Sequence, residues 1–130
     1  MVKDYVTKDS GKRQTYKSGM TRDLQGSNKP RFDLILPAYQ PYNETLLYRL
    51  AMLMTRGAEK YSARNWEKAD SIEELDRFKA SAWRHFMQFM CGEEDEDHVC
   101  GAIFNLNAII SLMYKLNIDI KGHKRKETQH

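Results

Sequence analysis

Gly92-Glu93-Glu94-Asp95-Glu96-Asp97-His98 runs straight into Val99-Cys100-Gly101-Ala102-Ile103-Phe104-Asn105. Five consecutive carboxylates thus stand between two apolar segments of helical period, so one helix must end here and another begin. At about 100° per residue, Glu94, His98, Gly101 and Asn105 share one face of the second helix. Glu93 and Glu96 are three residues apart, as are Glu94 and Asp97, and two such pairs can converge on a cation. The plainer alternative is capping, because acids complement the dipole at a helix N-terminus and Asp is a good N-cap. Two carboxylates suffice for that purpose, and five in a row repel one another. A metal ion or a cationic ligand is therefore the favoured reading.

On the C-terminal side, the periodicity predicts a helix from about Asp95 to Leu116. Val99, Ile103, Leu106, Ile110 and Met113 form one apolar stripe, and Leu112 and Leu116 a second beneath the His98/Asn105 face. A helix apolar on two sides packs between neighbours, which places Asn105 where a buried amide needs partners. On the N-terminal side, Ser71-Ile72-Glu73-Glu74 is a capping box that opens another helix. Leu75, Phe78, Ala82, Phe86 and Phe89 form its predicted core stripe, with His85 at the boundary, and Cys91-Gly92 closes it. Asn43 is the predicted N-cap of an earlier helix whose apolar face is Leu46, Leu47, Leu50, Met54 and Ala58. Between these helices, Gly57–Trp66 reads as a loop in which Lys60 and Arg64 lie among aromatics. Such a loop either stacks a base and holds its phosphates or anchors its tryptophan on the core.

The chain has 130 residues, 41% hydrophobic and 30% charged, with a mean hydropathy of −0.73. That is enough for one core and too little for two. No uninterrupted apolar run reaches the roughly 18 residues of a membrane span, and the first residues lack a leader's apolar centre. No membrane partner is expected, and Cys91 and Cys100 among acids and a histidine suit a reducing cytoplasm better than a disulfide. The net charge of +3 collects at the ends. These basic ends lack interleaved aromatics and any reader motif, so a nucleic-acid partner is not expected. Residues 1–27 read as a polar arm, 28–120 as the helical domain and 121–130 as a disordered basic tail. Within Lys29–Pro37 the flanking prolines predict an extended segment, with Arg31 and Asp33 on one side. No Gly-rich phosphate loop is present.

Several separated blocks carry a family resemblance: Ser18-Gly19-Met20-Thr21-Arg22-Asp23, Lys29-Pro30-Arg31-Phe32-Asp33-Leu34-Ile35, Gly57-Ala58-Glu59-Lys60-Tyr61 with Asn65-Trp66, and Arg84-His85 with Gly92-Glu93 and His98 to Asn105. In this order and spacing, over residues 18–116, the chain resembles the phage-type dATP/dGTP diphosphohydrolases, a branch of the MazG-like nucleoside triphosphate pyrophosphatases. The resemblance implies an all-α fold, a small antiparallel helical bundle with an extended N-terminal arm partly ordered against the site. It implies Mg²⁺- or Mn²⁺-dependent cleavage of a (deoxy)purine nucleoside triphosphate to monophosphate and pyrophosphate, in the cytoplasm of a host if the chain is phage-encoded. It further implies a homo-oligomer, dimer or tetramer. By position, Glu93, Glu96 and Asp97 would hold the metal, and Glu93, Asp97 and His98 would serve catalysis. Arg22, Lys29, Arg31, Lys60 and Arg84 would face phosphates, with His85, Asn65, Trp66 and Asn105 completing the substrate site. The chain departs from MazG-like enzymes in one respect: His98-x-x-Gly101-x-x-x-Asn105 stands where they carry a second acidic pair.

This set of residues suits the reaction, since carboxylate-held cations neutralise triphosphate charge and flanking Lys and Arg orient phosphates. Two rivals use the same residues differently. One is a protein of the same fold that sequesters a nucleotide without hydrolysing it. The other is a small helical module that binds nucleic acid or protein.

Overall fold

The computed structural model describes residues 6–24 and 29–126. Residues 1–5 and 25–27 of the predicted arm, and 127–130 of the predicted tail, lie outside the described residues. The chain comprises two units, Met1–Ile35 and Leu36–His130.

The first unit contains an antiparallel hairpin, β1 (Arg13–Thr15) and β2 (Thr21–Asp23), with Gln14 opposite Arg22. Gly19 at φ +91° makes its turn, in a region that side chains rarely adopt. Asp23 ties the unit together by accepting from Ser10 Oγ at 2.6 Å and Lys29 Nζ at 3.0 Å. Those bonds, Ser10's first, hold its carboxyl well below the usual range. The segment predicted to be extended instead winds into a 3₁₀ turn at Phe32–Leu34. The Arg31 guanidinium clamps both oxygens of Asp33, at 2.9 and 2.7 Å, which draws the chain into the turn. This pair is exposed.

The second unit is all-α: α1 (Leu46–Lys60), α2 (Ile72–Met90) and α3 (His98–Leu116). Thr45, not Asn43, caps α1, accepting from the Tyr48 N–H. Asn43 is taken up in a 3₁₀ turn at Tyr42–Glu44 that hands the chain to the cap. Gly57 lies within α1 and does not end it. The capping box forms as predicted. Ser71 Oγ accepts from the Glu74 N–H, and the Glu74 carboxylate takes Ser71 Oγ at 2.6 Å and the Asp70 N–H at 3.1 Å. Gly92 follows α2 at φ +80°, the left-handed residue that stops a helix. Asp97 caps α3 through the Cys100 N–H, so α3 starts three residues later than predicted. The Asp95 side chain is engaged elsewhere, as described below. Asn117, left-handed at φ 52°, closes α3.

Ala69, Leu75, Ala82, Ile109, Leu112 and Ile118 form the core, with Phe78, Met113 and Leu116 packed against it. Truncating a side chain as buried as Leu75 to Ala costs about 2–5 kcal/mol in such cores. The predicted α2 stripe is thus buried only in its first half, and Phe86 and Phe89 are about half exposed. On α3 the predicted first stripe likewise opens outward at Leu106 (52% exposed) and Ile110 (67%). By length and hydropathy α3 is the one described helix able to cross a membrane; here it is the central helix, packed on α2 and α1. Where a disordered tail is predicted, residues 121–126 turn back instead. Ile118 bridges to Lys124, and the Lys124 and Arg125 side chains donate to the Leu116 and Ile118 carbonyls. The Leu116 carbonyl that Lys124 takes is one that the helix end leaves unpaired.

Candidate functional site

Arg49 of α1 meets Asp97 at the start of α3, while Met54, Gly57 and Ala58 share a cavity wall with Phe104 farther along. α1 and α3 therefore run the same way, with α2 antiparallel between them in sequence. Two hollows lie along α3, one at its acidic end and one at an aromatic end farther on, and Asp97 and Phe104, which line one each, are seven residues and about 10 Å apart along the helix.

At the acidic end, Arg49, Phe89 and the Gly92–Val99 turn surround a cavity of about 460 Å³. The five carboxylates divide into two kinds. Asp97 accepts from Arg49 Nε at 3.0 Å and Nη2 at 2.7 Å as well as from the Cys100 N–H. Burial works to raise its pKa, but these bonds prevail and hold it below the ordinary range. Asp95 accepts from His98 Nε2 at 2.7 Å, which likewise lowers it. Glu93, Glu94 and Glu96 take no side-chain hydrogen bond or ion pair among the described residues, although all three line the cavity. Asp97, expected as a metal ligand beside Glu93 and Glu96, is thus already engaged by a guanidinium. Asp95, Glu96 and His98 lie within 4.8 Å of one another, but both nitrogens of His98 are in use.

His98, 2% exposed, is the buried centre of a polar cluster. Its Nδ1 lies 2.9 Å from Nδ1 of His85, whose Nε2 faces Arg84 Nη2 at 3.5 Å. The His85 ring lies flat against Gly101, where a Cβ would stand 2.8 Å from it. The bare backbone at 101 is therefore a docking surface for an imidazole. Burial first, and then the Arg84 charge, push the His85 pKa down. Asn105 is buried, and its amide donates to the Gly101 carbonyl at 2.8 Å. It was expected to turn that amide to a ligand or another side chain, yet it satisfies it within its own helix. Cys100, buried beside Asp97, has its thiol pushed up to about 11 by burial and then by the Asp97 bond.

At the aromatic end, a cavity of about 450 Å³ is lined by Trp66, Phe104, Phe78, Tyr61, Asn65 and the Arg64 and Arg77 side chains, among others. Trp66 meets Phe104 edge to face at 5.8 Å. Lys115 steadies this wall by donating to the Glu67 and Ala69 carbonyls at 2.8 and 2.9 Å. Arg64 adopts a left-handed backbone at φ 60°, a conformation that costs a bulky residue energy and is enriched at binding sites.

Of the residues expected in the site, Glu93, Glu96, Asp97 and His98 come together at the acidic end, His85 and Arg84 join through His98, and Asn65 and Trp66 line the aromatic end. Lys60 lies over the Tyr61 ring at 5.1 Å and is not part of the cavity wall. Arg22, Lys29 and Arg31 belong to the first unit, where Lys29 pairs with Asp23 and Arg31 with Asp33. Sequence reasoning passed over Arg49, Asp95 as a histidine partner, and Phe104. Arg49 left a signal, a cation bordering an apolar helix face, and so did Phe104, two turns from Asp97 on the same side.

The family described as dATP/dGTP diphosphohydrolase, N-terminal, matches residues 20–122. No curated protein and no solved structure matches the chain.

Proposed function

The chain belongs to the dATP/dGTP diphosphohydrolase N-terminal family, and on that premise we propose that it hydrolyses a deoxypurine nucleoside triphosphate to the monophosphate and pyrophosphate. The observation that carries this reading is the division of the acidic turn. Its two aspartates are spent on Arg49 and His98, while Glu93, Glu94 and Glu96 have no side-chain partner among the described residues and line one cavity. Unpaired carboxylates are hard oxygen donors of the kind Mg²⁺ and Mn²⁺ prefer, so Glu93 and Glu96 would hold the cation, with Glu94 beside them. A bound divalent cation would neutralise phosphate charge and favour attack at the phosphoanhydride. Asp97 would act there through Arg49 and the helix start, and Arg49 and Arg84 would orient phosphates. The aromatic cavity, about 10 Å along α3 from Asp97, suits a purine between Trp66, Phe104 and Tyr61.

A second copy of the chain would cover the apolar side of α2 and α3, where Trp83, Phe86, Leu106 and Ile120 line a nearly unpolar hollow. A dimer or tetramer formed on that face buries side chains that the single chain leaves in water. The test is a panel of purified deoxynucleoside and nucleoside triphosphates with Mg²⁺ or Mn²⁺, the products separated by ion exchange. Monophosphate and pyrophosphate in equal amounts, with dATP or dGTP preferred, is the expected result. Tight binding with no product would favour the sequestering reading.

A further inference from the structure

We propose that Arg77 and Glu74 choose the base, making the aromatic cavity a site for guanine rather than adenine; this rests on the purine that the hydrolase reading places there. Both residues line that cavity from α2, and at three positions apart they are neighbours on one helix face. They form no ion pair with each other, and Arg77 takes no side-chain partner among the described residues. Glu74 is held by the capping box. Its Oε1 accepts from Ser71 Oγ at 2.6 Å and from the Asp70 N–H at 3.1 Å, which leaves Oε2 without a donor among the described residues. Those bonds, Ser71's first, hold the carboxyl below its usual range, so it is ionised and can only accept. A guanidinium can only donate. One wall of the cavity thus carries a donor fork beside an acceptor.

Guanine has the matching pattern. Its O6 and N7 are adjacent acceptors that a planar guanidinium takes with two bonds, and its N1–H and N2 amino group are adjacent donors suited to a carboxylate. Adenine reverses both contacts: it turns an amino group at position 6 toward the guanidinium and a bare N1 toward the carboxylate. The other cations of the cavity are less suited to this task. Arg64 is committed to Glu67 at 2.7 Å, and Lys68 is a point charge at the end of the 3₁₀ turn Asn65–Lys68. Trp66 and Phe104 offer apolar surface that either purine uses alike, so the choice falls to the polar edge. Arg77 and Glu74 also stand on a helix with a complete cap, and side chains on a helix are held more accurately than those on a loop.

The test uses the full chain. The monophosphates dGMP and dAMP are titrated by calorimetry, and hydrolysis of dGTP and dATP with Mg²⁺ is followed alongside. Wild type is expected to favour guanine about a hundredfold in both measurements. Arg77 is exposed, so Arg77→Gln leaves the fold intact. It replaces the fork with an amide that pairs with adenine N6 and N7, and the preference should fall below about fivefold. Glu74→Gln keeps a carbonyl for the capping box and puts an amino group where Oε2 stood. Guanine should then weaken about tenfold against adenine while the melting temperature holds. A wild type that binds dAMP as well as dGMP overturns the proposal and leaves the hydrolase reading standing. So does an Arg77→Gln protein that keeps the wild-type preference or weakens both bases alike. A wild type that prefers dGMP through Arg77 yet releases no product overturns the hydrolase reading and keeps the base choice. One that neither binds nor hydrolyses these nucleotides overturns both.

Discussion

The side of α3 that meets α2 carries His98, Gly101 and Asn105, whereas the side turned to solvent carries Leu106, Ile110 and Tyr114, the last 88% exposed. Polar side chains are thus buried beside the core residues Ile109 and Leu112, while large apolar ones face water. Burying an imidazole and an amide is costly unless each polar atom finds a partner, and both do: His98 between Asp95 and His85, Asn105 on the Gly101 carbonyl. The outer side gains nothing in the single chain. The inner side has its polar groups paired within one copy, whereas the outer side leaves large apolar residues in water.

Gly101→Ala should produce the largest effect, because the new Cβ would meet the His85 ring at 2.8 Å. It is expected to cost about 1–3 kcal/mol in urea denaturation. By displacing His85 from His98 at the acidic end it should also lower kcat/KM. Unchanged activity would mean that the inner side is mere packing. Ile110→Glu probes the other side. The stability of the isolated chain should stay within about 0.5 kcal/mol, since the residue is 67% exposed. The mass by light scattering should fall from a multiple of the chain to 15.3 kDa. A monomeric wild type would break the comparison at once.

Asp97→Ala should cost about 1–2 kcal/mol near neutral pH through loss of the α3 cap and the Arg49 clamp. Asp97→Asn, which keeps a capping oxygen, should cost less. The folded pKa of Asp97 is depressed, so its ionic contribution is complete above the unfolded value of about 4 and is lost as the pH falls through the folded one. The gap between wild type and Asp97→Asn should therefore close in acid, as pH-dependent melting would record. Asn105→Leu should have the smallest effect. Its amide serves only the Gly101 carbonyl, so stability should move by less than about 1 kcal/mol and activity should remain. A large loss of kcat/KM would return Asn105 to the substrate site.

Much of the helical framework was legible in local chemistry. Ser71 and Glu74 close a box within one turn, and Gly92 supplies the positive φ that ends α2. The cap of α1 was misplaced because Asn43 and Thr45 are both competent, and only the 3₁₀ turn before the helix selects between them. Phe86 and Phe89 fit the period of the core stripe, but each borders an open hollow, Phe86 with Leu106 and Phe89 with Val99, and stays about half exposed. Periodicity identifies a side of a helix and not what lies against it.

The sequence by itself determined the three helices, the acidic turn between the last two and membership of the diphosphohydrolase family, because periodicity, caps and motif order are local properties of the chain. The division of labour within that turn was decided by tertiary structure alone. Arg49 reaches Asp97 across 48 positions of sequence, and His85 reaches His98 across a helix end. Five adjacent carboxylates are chemically alike until the fold brings a guanidinium to one and an imidazole to another. The three glutamates that line the cavity are left without a side-chain partner among the described residues.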